Sequence, residues 1–468
     1  MSYVNKKLEE FNDELKYKRI ALIGLGVSNI PLLDYFYSHN ANVIAFDNKD
    51  KEHIDSTVIK KLEDYNMLYY LGEHSLEHLV GFDYIFRSPS CRPDIPEILK
   101  EVQRGAILTS EIEKVLELTP STVIGVTGSD GKTTTTTLIY KILSENNYKC
   151  FLGGNIGTPL FTKISEMKPE DIVVLELSSF QLMNMEISPQ IAVVTNISPN
   201  HLNVHKDYQE YIESKMNIFL HQNENGILVI NADNEITKDF YKYAKGKVRY
   251  FSSKQKLENG VIFDRDDNII KICEDGTRKH LVKQKNMKLK GIHNCENACA
   301  AICATLGLGK EDITRKAIEE FPGVEHRLEY VRTINDVKWY NDSIGSSPTR
   351  TIAGLNSFDE KIVLIAGGYD KHLDYTPLAK PILQNVSKLI LMGQTAQKIE
   401  KAVQDEAKMQ NKNIPIYNCE TLEETVKKAK EIAEEGEVVL FSPASASFDL
   451  FKNFEERGNK FKELVNEL

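Results

Sequence analysis

The sequence has little of what marks a nucleic-acid-binding or membrane protein. None of its apolar runs reaches the ~18 residues that a membrane-spanning helix needs. Basic residues are not in excess: 58 lysines and arginines stand against 68 aspartates and glutamates, so the formal net charge of the 468 residues is −10. Surfaces that bind nucleic acid or anionic lipid are normally basic. We therefore expect neither nucleic acid nor a membrane among the partners.

Cysteine is also scarce, with seven residues and no CxxC pair. Cys295, Cys299 and Cys303 recur every four residues and would share one face of a helix. A metal-thiolate site could use that spacing, but the core of an amphipathic helix uses it too, and we favour the core. The charged start, MSYVNKKLEEFNDELK, lacks the apolar segment of a signal peptide. A reducing, cytoplasmic location is expected.

The most informative stretch is Ser121 to Tyr140, STVIGVTGSDGKTTTTTLIY. A β-branched run to Val126 predicts a buried strand, a glycine loop follows, and a helix begins at the Lys-Thr pair. Backbone N–H groups at a helix start attract anions, and a loop lysine can reach the β/γ-phosphates while a threonine hydroxyl binds Mg²⁺. The spacing departs from the standard P-loop, because Val126 stands where that pattern has glycine; a plain strand–helix turn is the alternative. The predicted ATP-phosphate site comprises Gly128, Ser129, Asp130, Gly131, Lys132, Thr133 and Thr134.

The N-terminal part begins with a weaker nucleotide signal. A strand from Arg19 to Ile23 ends in Gly24-Leu25-Gly26, and Asp47 ends the next strand. This βαβ pattern resembles a dinucleotide-binding turn. Asn29 occupies the place of the third glycine, which counts against a nicotinamide-dependent oxidoreductase. We predict a nucleotide-shaped ligand here.

Further polar residues lie at predicted strand ends. Glu176 ends an apolar strand, where an NTPase keeps the carboxylate that orders Mg²⁺; a solvent-facing glutamate at a sheet edge is the alternative. His201 follows another strand, which favours a ligand or positioning role over a solvated loop histidine. Asn294 and Asn297, one turn apart, could contact adenine, or they could be a helix cap and a surface residue. On composition alone, Lys215 is a surface lysine within a helix.

The pattern repeats in the last third, which places Tyr340-Asn-Asp-Ser343 and Ser442 to Asp449 at strand ends. We predict an α/β fold of three tandem domains: a Rossmann-like N-terminal domain, a central P-loop-type ATPase and a Rossmann-like C-terminal domain. The expected boundaries, with one falling near Phe321-Pro322-Gly323, are 1–112, 113–323 and 324–468.

In their order along the chain, these motifs resemble the Mur ligases, ATP-dependent amide-forming enzymes of peptidoglycan precursor synthesis. Two runs are especially specific, Glu176-Leu-Ser-Ser-Phe-Gln-Leu182 and Phe451-Lys-Asn-Phe-Glu-Glu-Arg-Gly458. The other stretches that carry the resemblance are Gly24 to Ser28, Thr127 to Thr133, Gly154 to Pro159, Gly291 to Asn297, His326-Arg327, Tyr340 to Ser343 and Ser442 to Asp449.

The resemblance implies a cytoplasmic monomeric ligase whose C-terminal domain closes over ATP and brings D-glutamate. It would join the amine of D-glutamate to the L-alanyl carboxylate of UDP-N-acetylmuramoyl-L-alanine through an acyl phosphate. It makes Lys132, Glu176, His201 and Lys215 catalytic, with Lys215 carbamylated, and it implies two Mg²⁺ ions. The implied contacts are Thr133, Glu176, His201 and Lys215 for metal; Asn294, Asn297, Arg327 and Asp342 for ATP; Val27, Ser28, Asp47, Asn48 and Asn155 for the UDP-sugar; and Lys371, Ser447, Phe448, Phe454 and Ser346 for D-glutamate.

The sequence departs from the family pattern at a few positions. Asn200 stands where many relatives carry Asp, Ile344 where many carry Lys, Ser346 where many carry Thr, and Ser90 where many carry Gly. The missing lysine suggests that another group neutralises charge near the ATP or glutamate site. The alternatives are a sister amide ligase, such as another Mur ligase or a folylpolyglutamate synthase-like enzyme, and, more remotely, a P-loop-type switch ATPase.

Overall fold

The computed structural model of the protein describes residues 3–199, 204–289, 291–371 and 373–468. The chain forms two compact units, Met1–Phe321 and Pro322–Leu468. The first unit contains two β-sheets and the second contains one. The division follows the predicted break at Phe321-Pro322-Gly323, while the exact limits of the three predicted domains stay a prediction. Among the described residues, no helix combines the length and apolarity that a membrane span requires.

The first sheet is parallel, and within the described residues its strand order is β3-β2-β1-β4-β5. Alternate residues of β1 face opposite sides: Ile20 and Leu22 join one apolar cluster, while Ala21 and Ile23 join another. Burial on both faces explains why these strands are apolar runs. The elements are α1 (Lys6–Leu15), β1 (Arg19–Ile23), α2 (Ile30–Ser38), β2 (Asn42–Asp47), α3 (Ser56–Asp64), β3 (Leu68–Leu71), β4 (Tyr84–Arg87), α4 (Pro96–Gln103), β5 (Ile107–Thr109) and α5 (Glu111–Leu118), with 3₁₀ helices Lys51–His53 and Ser75–His78.

The second sheet, as far as the chain is described, has the order β14-β13-β12-β11-β10-β9-β6-β8-β7. Strands β12, β11, β10, β9, β6, β8 and β7 pair in parallel, while β12 and β13 form an antiparallel hairpin and β14 pairs antiparallel with β13. The elements are β6 (Thr122–Thr127), α6 (Lys132–Glu145), β7 (Cys150–Gly154), β8 (Ile172–Glu176), α7 (Ser179–Leu182), β9 (Ile191–Val194), α8 (Tyr208–Leu220), β10 (Ile227–Asn231), β11 (Lys247–Ser252), β12 (Gly260–Asp264), β13 (Ile269–Glu274), β14 (Thr277–Lys283), α9 (Ile292–Thr305) and α10 (Glu311–Glu319), with 3₁₀ helices Phe161–Glu166, Thr237–Tyr243 and Gln284–Asn286.

The two sheets of the first unit share an apolar core. Leu22 of β1 and Val173 of β8 belong to the same cluster of buried side chains. The three cysteines of α9 are fully buried core residues of the second sheet's layer. Burial raises the pKa of the Cys303 thiol to about 12, so this thiol stays protonated, which suits a packing residue and not a metal ligand.

The second unit is built on a mixed sheet whose order, over the described residues, is β15-β16-β20-β17-β18-β19. Both faces of β17 are covered, because Leu364 packs in one apolar cluster and Val363 in the other. The elements are β15 (Glu329–Ile334), β16 (Val337–Asn341), α11 (Pro348–Leu355), β17 (Ile362–Ala366), α12 (Thr376–Asn385), β18 (Val386–Leu391), α13 (Ala396–Gln410), β19 (Ile416–Asn418), α14 (Leu422–Ile432), β20 (Val438–Phe441) and α15 (Phe454–Asn466).

Candidate functional site

The predicted phosphate loop connects β6 to α6, and β6 lies between β9 and β8 in the second sheet. Two of its glycines cannot be replaced without strain. Gly128 has φ +148°, and a Cβ there would lie 1.9 Å from Thr195 Oγ1. Gly131, at φ +77°, caps α6, and its Cβ would lie 2.2 Å from Asn297 Oδ1. The backbone of the loop therefore packs closely against Thr195 and Asn297. The loop ends at the first turn of α6, whose N–H groups have no partner within the helix.

The end of β9 holds this loop in place. Thr195 Oγ1 donates to the Asp130 carbonyl at 2.6 Å, and the Asp130 N–H donates to Asn196 Oδ1 at 3.0 Å. Ser129 Oγ lies 2.9 Å from the Ser198 carbonyl. Lys132 Nζ donates to the Gly128 and Ser129 carbonyls at 3.0 and 2.9 Å, so its ammonium lies over the loop. This is the position from which a loop lysine contacts phosphate oxygens.

Glu176 ends β8, directly beside β6, and only 1% of it is exposed. Its Oε1 accepts a hydrogen bond from Asn155 Nδ2 at 2.8 Å, and the Asn155 N–H donates to the Glu176 carbonyl at 2.8 Å. Its Oε2 is buried and has no hydrogen-bond partner among the described residues. The interpretation of Glu176 as a solvent-facing edge residue is therefore wrong. A buried carboxylate oxygen without a donor is costly unless a cation or a proton joins it.

Lys215 lies on α8 and is 2% exposed, so the surface interpretation made from composition alone is wrong. Its Nζ donates to the Gly128 carbonyl at 2.9 Å and lies 3.3 Å from Thr127 Oγ1. Burial, with nearby Lys132, lowers the pKa of Lys215 well below its usual range, although Glu176 opposes that shift. Burial therefore favours the uncharged amine more than it would for an exposed lysine.

Asn294 and Asn297 are buried on α9, with Asn297 Nδ2 donating to Asn294 Oδ1 at 3.3 Å. Asn297 also contacts Thr135 of α6 at 3.4 Å and packs against Gly131. The structure thus groups both asparagines with the phosphate loop. Their contact with adenine stays a prediction.

His201 and Asn200 lie outside the described residues, so the predicted metal and catalytic role of His201 stays a prediction. The nearest described residues downstream are Val204 and His205. His205 is buried, stacks on Phe180 at 5.3 Å, and its Nε2 lies 2.9 Å from Ser179 Oγ.

In the first sheet, Asp47 organises the glycine turn. Its Oδ2 accepts from the Leu25 N–H at 2.7 Å and its Oδ1 from the Lys49 N–H at 2.9 Å. Asn29 is fully buried and donates to the Ile23 and Gly24 carbonyls. Val27 is exposed, as a ligand contact would be. The predicted UDP-sugar residues Val27, Ser28, Asp47 and Asn48 thus lie together at the carboxyl ends of β1 and β2, and Asn155 lies apart from them beside Glu176.

In the second unit, the predicted nucleotide residue Asp342 follows β16. Its Oδ2 accepts from Ser442 Oγ at 2.6 Å and its Oδ1 from the Leu328 N–H at 3.2 Å. Burial raises the pKa of this carboxyl to about 6. Arg327 precedes Leu328, so the two predicted ATP residues come from neighbouring backbone segments. Both oxygens of Asp342 already accept hydrogen bonds, and a ribose hydroxyl would have to share one.

Four of the predicted D-glutamate residues lie on loops that follow β16, β17 and β20, and the fifth, Phe454, is the first residue of α15. Lys371 Nζ lies 5.4 Å above the ring of Phe448, which is 58% exposed. Ser447 is buried, and Ser343 Oγ donates to the Phe454 carbonyl at 2.8 Å. The Lys371 cation beside the exposed Phe448 ring suits a small anionic ligand. Ser346 lies on the loop after β16.

Sequence reasoning missed three buried or half-buried arginines. Arg457 is 1% exposed and donates to Ser343 and to the Ser445 and Ala446 carbonyls, so it ties two strand-end loops of the second unit together. Arg87 and Arg92 flank the Ser88-Pro-Ser-Cys91 loop of the first sheet. The position of Arg87 at the end of an apolar strand could have marked it as a buried polar residue. Its partners Phe180 and Asn184, however, are 93 and 97 residues away in sequence.

The fold and the site together define a class: multi-sheet α/β proteins with a nucleotide-phosphate loop. Residues 18–110 match the N-terminal domain of MurD-like Mur ligases, residues 126–305 the Mur ligase middle domain, and residues 326–445 the glutamate ligase domain of Mur ligases. The chain belongs to the Mur ligase family.

Relatives and solved structures agree with this assignment. The chain is 52% identical over 468 residues to the UDP-N-acetylmuramoylalanine–D-glutamate ligase of Acetivibrio thermocellus, covering 99% of this chain and 100% of that one. It is 49% identical over 467 residues to the enzyme of the same name from Ruminiclostridium cellulolyticum, with the same coverage. The crystal structure of the Thermotoga maritima UDP-N-acetylmuramate–alanine ligase MurC matches with a TM-score of 0.56 at 20% identity, covering 96% of this chain and 99% of that one, and so shares the fold.

Proposed function

We propose that this protein is an ATP-dependent ligase that joins D-glutamate to UDP-N-acetylmuramoyl-L-alanine in peptidoglycan precursor synthesis. The observation that carries the proposal is the 52% identity to the Acetivibrio thermocellus ligase across 99% of this chain and 100% of that one. The site geometry supports ATP use, because the Lys132 ammonium and a buried carboxylate, one of whose oxygens has no hydrogen-bond partner among the described residues, lie at adjoining strand ends. A switch ATPase would need both of these features but no amino-acid site.

Phosphate binding falls to the β6–α6 loop. The N–H groups at the start of α6 and the Lys132 ammonium would hold the β- and γ-phosphates of ATP. Because the loop is tied to Thr195 and Asn196, these donors are positioned before the nucleotide arrives. Preorganised donors stabilise the charge that develops during phosphoryl transfer without reorganising at that moment.

The donor set also fits Mg²⁺. Glu176 Oε2, which has no hydrogen-bond partner in the described part of the chain, and the Thr133 hydroxyl are oxygen ligands of the kind that Mg²⁺ prefers. Mg²⁺ held there would supply neutralising charge on the transferring phosphoryl group. We propose that Thr133, Glu176, His201 and Lys215 hold up to two such ions, with Lys215 acting as its N-carboxylate.

A carboxylate is a poor acyl donor, so the reaction needs activation. The L-alanyl carboxylate would attack the γ-phosphorus of ATP, giving an acyl phosphate and ADP. The uncharged amine of D-glutamate would then attack the acyl carbon, and inorganic phosphate would leave with the bonding pair. Asn155, whose side chain is hydrogen-bonded to Glu176, is proposed to orient the acyl end of the substrate. His201 is proposed to accept the amine proton or to position the reacting groups.

We propose that Lys215 is carbamylated. Only an uncharged amine adds CO₂, and burial of Lys215 beside Lys132 shifts its pKa in the direction that favours the uncharged form. The test is a ¹³C NMR spectrum of the protein in ¹³C-bicarbonate. We expect a carbamate carbon signal that is absent from the Lys215→Arg variant, and an identical spectrum for the two proteins would contradict carbamylation.

The function is tested by phosphate release with Mg²⁺-ATP, UDP-N-acetylmuramoyl-L-alanine and D-glutamate, omitting each in turn. We expect release to require both co-substrates and the product to be heavier by one glutamyl residue. Replacing D-glutamate with L-glutamate, L-lysine or meso-diaminopimelate tests the acceptor. Turnover with another amino acid would make the protein a sister ligase, and release from ATP alone would favour the switch ATPase.

A further inference from the structure

The loop that follows β4, Ser88 to Asp94, contacts the glycine turn on one side. Ser88 N–H donates to the Ile23 carbonyl at 2.8 Å. A Cβ on Gly24, which has φ +88°, would lie 2.3 Å from Ser88 Oγ. The strand-end loop, which we call the β4 loop, is therefore packed directly against the turn predicted to bind the UDP end of the substrate.

On its other side the β4 loop is fastened to the second sheet by Arg92. All five N–H donors of the Arg92 guanidinium have acceptors: Nε and Nη2 donate to the two oxygens of Asp94, and Nη1 and Nη2 donate to the two oxygens of Glu210 at 3.1 and 2.7 Å. The remaining Nη1 donor contacts the Val204 carbonyl at 2.8 Å. A planar fork with five donors can bridge three acceptors in this way, and an ammonium cannot.

The partners of Arg92 belong to the catalytic half of the site. Glu210 lies in the first turn of α8, the helix that carries Lys215. The Lys206 N–H donates to Glu210 Oε2 at 2.8 Å, and His205 Nδ1 lies 3.4 Å from that oxygen. Hydrogen bonding to Arg92 lowers the pKa of Glu210 to about 2, so the pair is ionised at neutral pH.

A second arginine fastens the start of the β4 loop. Arg87, the last residue of β4, is 2% exposed. Its Nε donates to Asn184 Oδ1 at 2.8 Å, and its Nη2 donates to the Phe180 carbonyl at 2.9 Å. Phe180 lies in α7, four residues beyond Glu176. Within the β4 loop itself, Arg87 Nη1 donates to the Cys91 carbonyl at 3.0 Å.

From these contacts we infer that Arg87 and Arg92 are positioning residues that align the acyl end of the nucleotide-sugar with the phosphoryl group of ATP. Arg87 fixes the β4 loop to α7, which follows Glu176, and Arg92 fixes it to α8, which carries Lys215. On the proposed function, the bound nucleotide-sugar would reach from the glycine turn to Glu176, so the position of its carboxylate would depend on how firmly these elements hold each other. Neither arginine needs to touch the substrate.

The inference rests on the proposed function and is tested on the first half-reaction, which needs no amino acid. The full-length protein is mixed with Mg²⁺-ATP and UDP-N-acetylmuramoyl-L-alanine, and the acyl phosphate is trapped with hydroxylamine as a hydroxamate. We expect Arg92→Met to slow hydroxamate formation by about 10- to 100-fold, because misplacement of a reacting group by ~1 Å can cost that much. The KM for ATP is expected to stay within about twofold, since the phosphate loop makes no contact with Arg92 among the described residues.

Two further variants separate geometry from charge and from folding. Arg92→Lys keeps the charge but loses the fork, so we expect it to remain about tenfold slower than the unmodified protein. Asn184→Ala removes a partner of Arg87 while leaving the buried arginine in place, and a slowing of about threefold to tenfold is expected. Hydroxamate formation at the unmodified rate in Arg92→Met or Arg92→Lys would overturn the inference.

A matched control removes a different paired cation. Lys271 bridges Asp264 and Asp267 on the β12–β13 hairpin, away from the β4 loop. Lys271→Met is expected to lower the melting temperature while leaving hydroxamate formation within about twofold. An equal slowing in this control would show a general loss of structure and overturn the inference. If the unmodified protein forms no hydroxamate at all, the proposed function fails first, so the two failures are distinguishable.

Discussion

Two buried carboxylates, one in each compact unit, differ in how completely the protein satisfies them. Glu176 of the first unit has one oxygen bonded to Asn155 and one buried oxygen without a hydrogen-bond partner in the described chain. Asp342 of the second unit has both oxygens bonded, to Ser442 and to the Leu328 N–H. An unsatisfied carboxylate is maintained at a cost to stability, whereas a satisfied one supports its loop. The difference is what the proposed cation site at Glu176 requires, and at Asp342 it leaves the proposed nucleotide contact to be tested.

The same contrast holds for the cations. In the first unit, Lys215 is buried and its pKa is lowered by that burial. In the second unit, Arg457 donates four hydrogen bonds to Ser343, Ser445 and Ala446, and it organises the loop that carries the exposed Phe448. The buried cation of the first unit is therefore held at a cost to its charged form, whereas that of the second unit ties loops together.

The largest expected effect comes from Glu176→Gln. The amide can keep the hydrogen bond from Asn155 but places an NH₂ group where the unpartnered oxygen was, so it no longer attracts a cation. We expect kcat to fall by about 10²- to 10³-fold, comparable to the loss of one charge-stabilising group, with little change in melting temperature.

The matched swap in the other unit is Asp342→Asn. Because both Asp342 oxygens are engaged internally, we expect kcat and the KM for ATP to change by less than about threefold. Steady-state kinetics at saturating Mg²⁺ measure both variants. The contrast between the two carboxylates is wrong if Glu176→Gln stays active. It is also wrong if Asp342→Asn strongly raises the KM for ATP, a result that would support the predicted contact of Asp342 with the ribose.

An intermediate effect is expected from Arg457→Lys. A lysine cannot reach the Ser343, Ser445 and Ala446 acceptors together, and leaving buried carbonyls unsatisfied costs about 2 to 5 kcal/mol in total. The loops of the second unit should loosen, raising the KM for D-glutamate by about tenfold while hydroxamate formation from the first half-reaction persists.

The control is Arg332→Lys, since Arg332 is half-buried and its Nη1 makes a solvent-exposed hydrogen bond to the Asn466 carbonyl. Calorimetric unfolding and the KM for D-glutamate should be nearly unchanged in that variant. If Arg457→Lys slows hydroxamate formation as much as it raises the D-glutamate KM, the division of labour between the two units is wrong.

The sequence predicted what depends on local pattern. Gly131 and Lys132 were recognisable because strand, glycine loop and helix follow one another, and the structure places the loop accordingly. Glu176 was placed by the strand that precedes it. Lys215 was identified through family resemblance alone, because its burial is set by β6 and by Tyr211 on its own helix, and neither is visible in the composition.

The arginine contacts lay beyond such reasoning. Arg92 and Glu210 are separated by 118 residues, and Arg457 and Ser343 by 114. Each pair forms only after different strands have brought loop ends together. Many residues of the chain could accept hydrogen bonds from an arginine in a polar loop. Its partners therefore cannot be predicted from sequence, unlike the position of a glycine loop, and are known only from the structure.

The smallest effect on activity is expected where Asp342 ionises. The sharpest test of the Asp342 environment is therefore the pH dependence of stability. Burial raises the pKa of the folded carboxyl to about 6 from an ordinary 3.8. Between these values the folded protein keeps a proton that the unfolded chain has lost, so stability falls as pH rises through this window. The penalty is absent below pH about 4 and complete above pH about 6, where it amounts to about 3 kcal/mol.

Asp342→Asn removes this titration while other ionisable groups cancel in the comparison. Melting temperatures of both proteins, measured at intervals from pH 4 to pH 7, should diverge in favour of the variant as pH rises and become parallel above about pH 6. The asparagine is accommodated because the Ser442 hydroxyl can accept from its amide instead of donating to a carboxylate. A constant difference across the range would mean that Asp342 ionises at its ordinary pKa, and a difference growing in the opposite direction would mean that the folded protein stabilises the charged form.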